Sequence, residues 1–459
     1  MLSTVGQRRW SATLVVPAAL AVLVAVLSAF SCRPAGDRGG SDLEPAPGGP
    51  ILMITLEGLR ADVVGALGGL PGLTPAVDAL AAEADWFGSA VSASSASAPA
   101  MVSLLTGLRP HDHRAWNAAA PLRAQIETLP EALRARGYAT RAYLSSEWLR
   151  ASPSFLQGFD EVQPLAIVRA AERDLRAAAG APALVLVEIA APAPPYRLYP
   201  ALLPRLEALG DRVARDDLPE RLGLGEVREL ARSAQELGTD ELGTWWAMYC
   251  LNVARADQRV GQLLDALRES GAWDRSTVVV TSLRGEPLGD DIGDGLRRRL
   301  IEVPLIVKLP AGAGALGSLP APGSLLETTS LWATLVELAG GSRPPGVTPG
   351  WFEGPGGLRG AGAWSERRTP AGRLQVSWIS GDEQVLLELD RSQRRVVGEV
   401  WRWLPDGGER LSDRASANEA LQAETLRRWR LLAQSAGQSP IESLERAPRP
   451  RASSRGQDS

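Results

Sequence analysis

Short apolar runs recur along this chain at intervals that suit alternating strands and helices. They are ILMITLEG (51–58), ATRAYLSS (139–146), ALVLVEIA (183–190), STVVVTSL (276–283) and VPLIVKLP (303–310). Each is bounded by turn-forming residues, which is typical of buried parallel strands. Helical patterns lie between them, among them residues 74–85, 128–137 and 245–271. The alternation predicts an α/β fold, a doubly wound and mostly parallel sheet flanked by helices.

A different pattern begins near Gly340, where a stretch rich in proline and glycine marks a boundary. Residues 373–390 and 396–404 alternate as antiparallel strands do, and a helix is predicted over 415–435. We therefore expect a smaller C-terminal α+β subdomain over residues 341–437. The last residues, 438–459, contain few apolar side chains and are predicted to be disordered.

The N-terminus has the features of an export signal. Arg8 and Arg9 precede an apolar run over residues 12–31, and that run ends in Ala29-Phe30-Ser31-Cys32. This ending resembles the lipobox of bacterial lipoproteins, in which the cysteine carries the lipid, so residues 1–32 are expected to be the signal and Cys32 the lipidation site. The alternative is an uncleaved membrane anchor, because about 20 apolar residues span a bilayer.

Both alternatives place the rest of the chain outside the cytoplasm, as a membrane-anchored protein of the periplasm or cell surface. Residues 33–50, rich in proline and glycine, would form a tether. With Cys32 acylated, Cys250 is the only other cysteine, so no internal disulfide is expected. The formal net charge of −4 gives no reason to expect a nucleic-acid partner.

The stretch SASAPAMVSLLTGLRPHDH (95–113) has the pattern of a loop that enters a helix. Ser97 is predicted at the helix N-cap, with Pro99 in the first turn. A hydroxyl nucleophile is well placed there, because the free N–H groups and the helix dipole favour an anion. The alternative is that Ser97 only caps the helix.

Residues 97–107, SAPAMVSLLTG, resemble the sulfatase motif C/S-x-P-S-R-x-x-L-x-T-G. Residues 51–62 are similar to the first strand and metal loop of that family, and 274–291 to its T-S-D-H-G-E-x-L-G segment. Further similar segments follow in the family's order across residues 51–340. The chain is thereby identified as a degenerate member of the sulfatase family, in the alkaline-phosphatase superfamily, and residues 51–340 as its sulfatase-like domain.

The resemblance implies a divalent cation held by carboxylates, a formylglycine nucleophile made from the motif's Cys or Ser, and His and Lys residues that act on the sulfate. Glu57 stands at the position of the first metal-binding Asp, and Ser97 at the position of the nucleophile. His111 and His113, the only two histidines, match a segment that is usually structural in the family, although His113 is retained as a candidate catalytic residue.

Other positions of the family's site have changed. Leu283 and Arg284 replace two metal ligands, Met101 replaces the motif arginine and Ala100 its small hydroxyl residue. In the segment 187–196, Glu188 and Ala193 replace the family's two histidines and Ala191 replaces its aspartate. Because Met101 and Ala100 replace the motif residues, Ser97 is expected to remain serine. An aliphatic side chain and a cation cannot hold a dication, so the site is expected to be vestigial.

The sequence therefore predicts an envelope protein without ordinary sulfatase activity and without a cofactor, which binds a partner protein or an anionic or glycan ligand. The alternative is an active sulfatase or phosphohydrolase that uses Ser97 with a rebuilt Ca²⁺ or Mg²⁺ site. The acidic residues that could rebuild it lie in the loop after residue 284 and are Glu286, Asp290, Asp291 and Asp294.

Overall fold

The structure is a computed structural model. It describes residues 48–164, 167–177, 180–207, 218–233, 239–288, 295–313, 317, 319–321, 323–352, 362–390, 395–403, 409–411 and 415–435. The predicted signal with Cys32, the tether up to residue 47 and the tail from 438 lie outside these residues, as do Asp290, Asp291 and Asp294. In the described part of the chain, no helix combines the length and the apolar character needed to span a bilayer.

The described strands follow the predicted runs closely. They are β1 (Ile51–Glu57), β2 (Trp86–Val91), β3 (Ala139–Leu144), β4 (Glu161–Gln163), β5 (Ala183–Pro192), β6 (Tyr196–Arg197), β7 (Arg221–Leu222), β8 (Thr277–Ser282), β9 (Glu302–Lys308), β10 (Leu326–Glu327), β11 (Ala363–Arg368), β12 (Leu374–Ser380), β13 (Glu383–Leu389), β14 (Arg395–Trp403) and β15 (Glu409–Leu411).

The α-helices are α1 (Pro75–Glu83), α2 (Ser97–Thr106), α3 (Pro110–His113), α4 (Leu129–Arg134), α5 (Glu147–Arg150), α6 (Ile167–Ala177), α7 (Leu203–Glu207), α8 (Leu224–Ser233), α9 (Thr239–Glu269), α10 (Arg298–Ile301), α11 (Ser330–Leu338) and α12 (Ala415–Ser435). Short 3-10 helices cover Ala61–Val63, Gly65–Leu67, Pro153–Leu156, Pro200–Leu202 and Trp273–Arg275.

The main sheet has eight strands in the order β10-β2-β9-β8-β1-β5-β3-β4. Strands β8, β1, β5, β3 and β4 are parallel to their neighbours in that series, whereas β9 is antiparallel to both β8 and β2. The predicted fold class, a mostly parallel sheet flanked by helices, is confirmed.

The prediction that the run 303–310 forms a parallel strand is wrong, because β9 is antiparallel to both of its neighbours. A strand that is buried on both faces has a continuous apolar sequence whether it is parallel or antiparallel to its neighbours. The apolar run therefore could not indicate the direction of the strand.

The two faces of the sheet carry separate cores. Leu52, Ile54 and Leu56 of β1 pack in one cluster with residues of α9, including the fully buried Cys250. Ile51 and Met53 point to the opposite face and pack with residues of α2, α4 and α11. This alternation along β1 places the sheet in the middle of the fold, with its strand ends free to present polar side chains.

A second sheet has the order β11-β12-β13-β14-β15 and is antiparallel throughout. Trp429 of α12 is buried in a cluster with Trp364, Trp378 and other residues of this sheet. The predicted small C-terminal α+β unit is therefore present, and its helix has the predicted bounds, Ala415–Ser435.

Candidate active site

A group of polar side chains lies where the central strands of the main sheet end. The group consists of Glu57, Ser97, Ser146, Trp148, Glu188, Arg284 and Glu286. Glu57 is the last residue of β1, Glu188 lies in β5, and the others lie in the segments that follow β2, β3 and β8. Ligands of open α/β sheets bind at this edge, so the topology gathers the predicted site residues there.

Ser97 is the first residue of α2, and Ala96 occupies the N-cap position. The predicted N-cap role is wrong, since the helix starts one residue earlier than expected and no side-chain cap bond is present there. Instead the Ser97 hydroxyl donates to Glu57 Oε1 over 2.5 Å and accepts from Arg284 Nε over 3.2 Å. The hydroxyl therefore belongs to the site and does not serve the helix end.

Both carboxylate oxygens of Glu57 accept hydrogen bonds from neutral donors. Oε1 binds Ser97, while Oε2 accepts from the Ser146 hydroxyl over 3.1 Å and from Trp148 Nε1 over 3.2 Å. The side chain is 12% exposed. Ser146 and Trp148 were not among the predicted site residues, although both follow the end of β3, and ligands of α/β sheets bind at strand ends.

Arg284 lies between two carboxylates. Its Nη1 donates to Glu286 Oε2 over 2.8 Å and to the Gly285 carbonyl over 2.8 Å, and its Nη2 is 3.8 Å from Glu57 Oε1. Burial acts to lower the pKa of this guanidinium, but Glu286 and Glu57 raise the pKa overall. Arg284 therefore stays charged and supplies the positive charge of the site.

Gly58, which follows Glu57, lies where only a glycine fits without strain. Its φ of +93° disfavours other residues, and a Cβ atom there would lie 2.9 Å from Glu286 Oε2 and 3.1 Å from the Ala193 nitrogen. A side chain at position 58 would displace the carboxylate that holds Arg284. The glycine and the Arg284–Glu286 pair are therefore parts of one arrangement.

Glu188 stands where the resemblance would place a histidine, and it is fully buried. Its Oε1 accepts from the Ser146 hydroxyl over 2.5 Å, and its Oε2 accepts from the backbone N–H groups of Ser145 and Ser146, each over 2.8 Å. Burial raises the pKa of Glu188 to about 7, with a further increase from the charge of Glu57. The Ser146 hydroxyl, which has one proton, thus lies between the carboxyl groups of Glu57 and Glu188.

The described residues of the site do not fit the divalent cation that the fold family implies. A guanidinium lies within hydrogen-bonding distance of Glu286 and close to Glu57, where a metal ion would be needed. Across the described ranges, no three side chains of His, Cys, Asp or Glu form a group that could hold a metal. Of the acidic loop proposed for a rebuilt site, Glu286 is bound to Arg284, and the three aspartates lie outside the described residues.

The two histidines lie in α3. The ring of His113, which is fully buried, has Nε2 2.9 Å from Ser103 Oγ, and its Nδ1 accepts from the Ala115 N–H over 3.0 Å. Burial lowers the pKa of His113 to about 3, so the ring is neutral. His111 instead pairs with Glu366 of β11, with Nδ1 2.8 Å from Oε1. The catalytic role suggested for His113 stays a prediction.

Comparison with known proteins identifies the fold. Residues 50–173 match the sulfatase family by sequence. This segment contains Glu57, Ser97, Ser146 and Trp148, and its match bears out the resemblance noted for the motif at Ser97. Residues 50–173 therefore form a segment of the sulfatase family.

Solved structures extend the likeness in fold over most of the chain. A phosphonate monoester hydrolase of Agrobacterium radiobacter is 18% identical, with a TM-score of 0.64, and the match covers 84% of this chain and 96% of that one. A 2-O GAG sulfatase is 16% identical, with a TM-score of 0.65 and coverage of 84% and 93%. A protein solved with its substrate D-glucosamine-2-N,6-O-disulfate is 15% identical, with a TM-score of 0.58 and coverage of 87% and 99%. At these identities the likeness shows the fold.

Proposed function

We propose that this sulfatase-family protein has lost ordinary sulfuric ester hydrolysis and serves at the cell envelope as a binding or partner protein. The observation that carries the proposal is the position of Arg284, 2.8 Å from Glu286 and 3.8 Å from Glu57. The guanidinium lies between the carboxylates that a metal ion would require. A dication placed beside Arg284 would be repelled by the positive charge of the guanidinium. Glu286 and Glu57 keep that guanidinium protonated.

The loss of the metal affects the chemistry of a sulfate ester directly. In the family the ion polarises the ester oxygen and activates the nucleophile, and here no residue of the described site takes over both tasks. Removing one electrostatic stabiliser typically costs about 3 kcal/mol of barrier. With two metal ligands, the motif arginine and a histidine replaced, most of the rate enhancement should be lost.

The charge of the site also bears on its ligand. Glu57, Glu286 and the partly ionised Glu188 outnumber the one guanidinium of Arg284, so a sulfate group that enters this site meets net negative charge. A neutral sugar or another neutral ligand suits the site better than an anion. Among the ligand classes predicted from the sequence, we therefore favour a neutral glycan over an anionic one.

The envelope location rests on the sequence. Arg8, Arg9, the apolar run 12–31 and Cys32 support export and lipid attachment, with the membrane as the first partner. A fold held by a tether at a membrane surface is well placed to bind another envelope protein.

Metal content and ester turnover test the proposed loss of activity. We expect the purified protein to contain no stoichiometric divalent ion by mass spectrometry, and to hydrolyse aryl sulfates and aryl phosphates no faster than the Ser97→Ala variant. Arg284→Asn removes the competing cation and leaves Glu57 and Glu286 in place. This variant should bind Ca²⁺ or Mg²⁺ measurably more tightly than the wild type by titration calorimetry.

The opposite result is equally clear. A stoichiometric metal ion in the wild-type protein, together with aryl sulfate or aryl phosphate turnover that Ser97→Ala abolishes, would support the alternative of an active hydrolase with a rebuilt metal site.

A further inference from the structure

We infer that Ser97 is a metal-independent nucleophile toward neutral carboxylic esters, with Glu57 as its general base. This goes beyond the proposed function, which concerns sulfate esters and binding. The inference rests on the hydrogen bonds of the Ser97 hydroxyl, on the charge of Arg284 and on the exposure of the site. None of these requires a metal ion.

The geometry of Ser97 and Glu57 is that of a nucleophile and its base. The hydroxyl donates to Glu57 Oε1 over 2.5 Å, so the proton already points to the group that would remove it. Ser146 and Trp148 hold the other oxygen of the carboxylate, at 3.1 and 3.2 Å. The base is therefore oriented by further groups, as in nucleophile–base–orienter arrangements generally.

Arg284 stabilises negative charge on the same oxygen. Its Nε donates to Ser97 Oγ over 3.2 Å, so the guanidinium faces the alkoxide that forms as the proton leaves. Ser97 is also the first residue of the ten-residue helix α2, where the helix dipole adds partial positive charge. Both effects act on an oxygen that carries no metal.

The nucleophile can be reached from solvent, whereas much of the surrounding charge cannot. Ser97 is partly exposed, and the side chains of Glu57 and Arg284 are 12% and 17% exposed. Glu286 and Glu188 are buried behind them. A ligand that approaches Ser97 therefore meets the hydroxyl and the guanidinium at the open side of the site.

The charge balance selects a neutral substrate. A carboxylic ester enters without charge and develops one negative charge in its tetrahedral intermediate, which the single guanidinium of Arg284 can offset. A sulfate or phosphate monoester is already anionic when it arrives and is repelled by Glu57 and Glu286. The same residues that oppose sulfatase chemistry are thus compatible with acyl transfer.

The reaction balances without a metal or a further reactant besides water. Ser97 Oγ attacks the carbonyl carbon, its proton passes to Glu57 Oε1, and the C=O π pair moves to the carbonyl oxygen. When that pair returns, the C–O bond to the alcohol breaks and the alcohol takes the proton from Glu57. Water then attacks the carbonyl carbon of the acyl-Ser97 ester and gives a proton to Glu57. When the second tetrahedral intermediate collapses, the bond from the acyl carbon to Ser97 Oγ breaks, Ser97 Oγ takes the proton back from Glu57, and the carboxylic acid leaves.

Labelling with a neutral alkyl fluorophosphonate tests the inference. The reagent phosphonylates an activated serine and releases fluoride, and peptide mass spectrometry locates the adduct. We expect one phosphonyl group per chain, on Ser97, at the same rate with and without EDTA. Ser97→Ala should give no adduct, whereas Ser95→Ala, which changes a serine in the same segment, should be labelled as the wild type is.

Two variants of the base guard against a folding artefact. Glu57→Gln keeps the size of the side chain, and Glu57→Asp keeps the charge beside Arg284 but withdraws it from Ser97. In both, labelling should be at least tenfold slower, with circular dichroism confirming the fold. A 4-nitrophenyl acetate assay should release one equivalent of nitrophenol in a burst that depends on Ser97.

Two outcomes would overturn the inference: wild-type protein without an adduct on Ser97, or unchanged labelling in both folded Glu57 variants. These outcomes are separate from those of the proposed function, because metal content and sulfate turnover are measured independently of the labelling. A protein without sulfatase activity and without labelling of Ser97 would contradict only this inference. A protein with metal-dependent sulfatase activity would contradict only the proposed function.

Discussion

A guanidinium and a dication make different demands on the residues around them. A metal ion attracts carboxylate oxygens with few directional constraints, whereas a guanidinium donates through N–H groups fixed in one plane. Arg284 uses Nε for Ser97 and Nη1 for Glu286, so its plane sets where the hydroxyl and the carboxylate must lie. Lysine at this position could supply the charge but not this set of bonds.

Glu188 gives a prediction at the level of one residue. Its pKa rises from 4.5 to about 7 on folding, because burial penalises the ionised form. The stability contributed by its protonated state is complete below pH 4.5 and is lost as the pH rises through 7. Glu188→Gln keeps the shape of the side chain but cannot ionise. The unfolding free energy of the variant minus that of the wild type should therefore increase by about 3 kcal/mol from pH 4 to pH 8.

Urea unfolding at several pH values measures this difference. Glu147→Gln, in the neighbouring and more exposed turn, serves as the control and should follow the wild type at every pH. A constant difference between Glu188→Gln and the wild type across the whole range would contradict the assigned pKa.

The site residues differ in how well the sequence could predict them. Glu57, Ser97, Glu188 and Arg284 stand at motif positions, so the resemblance located all four. Ser146 and Trp148 reach Glu57 from 89 and 91 residues further along the chain. Their contacts depend on how the segment after β3 reaches across β5 to the end of β1, and no local sequence pattern indicates that.

At the level of elements, a buried charge pair connects α3 to the second sheet. His111 of α3 lies 2.8 Å from Glu366 of β11, which also accepts from Trp429 Nε1 of α12 over 2.7 Å. Burial acts to lower the pKa of His111, but Glu366 and the neighbouring Asp112 raise the pKa overall, against an opposing effect of Arg109. Protonated His111 therefore holds three elements together.

This pair predicts a pH dependence with a known sign. Since the folded pKa of His111 lies above 6.5, its stabilising effect is complete below that pH and is lost as the pH rises through the folded pKa. His111→Gln keeps a donor without the charge. It should cost about 1–3 kcal/mol of unfolding free energy at pH 5.5 and progressively less in alkaline solution.

Denaturant titrations monitored by tryptophan fluorescence would measure this cost. Arg134→Gln removes an exposed ion pair with Asp160 and should change the unfolding free energy by less than about 1 kcal/mol. If the cost of His111→Gln did not change with pH, His111 would act in this contact as a neutral ring.

The elements were predictable where burial leaves a strong pattern. The five apolar runs all became strands, but β2 was missed because its sequence WFGSAV contains Gly88 and Ser89 and exposes Phe87. Strand propensity and alternation are both weak in such a segment. The antiparallel sense of β9 was missed for the opposite reason, since complete burial erases any difference between its two directions.

At the scale of the whole molecule, the two sheets share buried contacts. Val91 of β2 packs in one cluster with Leu296 and Ile301 from the main unit and with Ala363 and Ile379 from the second sheet. Glu327 of β10 accepts from the Trp364 backbone N–H over 3.0 Å and binds Arg109 over 2.8 Å. The second sheet therefore completes the core beside the strands that lead to the site.

This sharing predicts that the main unit cannot fold well without the C-terminal part. A chain that ends at residue 362 would expose Val91 and Ile301, and the Glu327 carboxylate would lose the N–H group of Trp364. We therefore expect this chain to aggregate or to lose its cooperative thermal transition. A chain that ends at residue 437 lacks only the tail predicted to be disordered, and its Tm should stay within about 2 °C of the full-length value. Size-exclusion chromatography and circular dichroism melting distinguish the two. A monomeric, cooperatively melting chain of 362 residues would mean that the contacts around Val91 and Glu327 contribute little, and that the site stands on the main sheet alone.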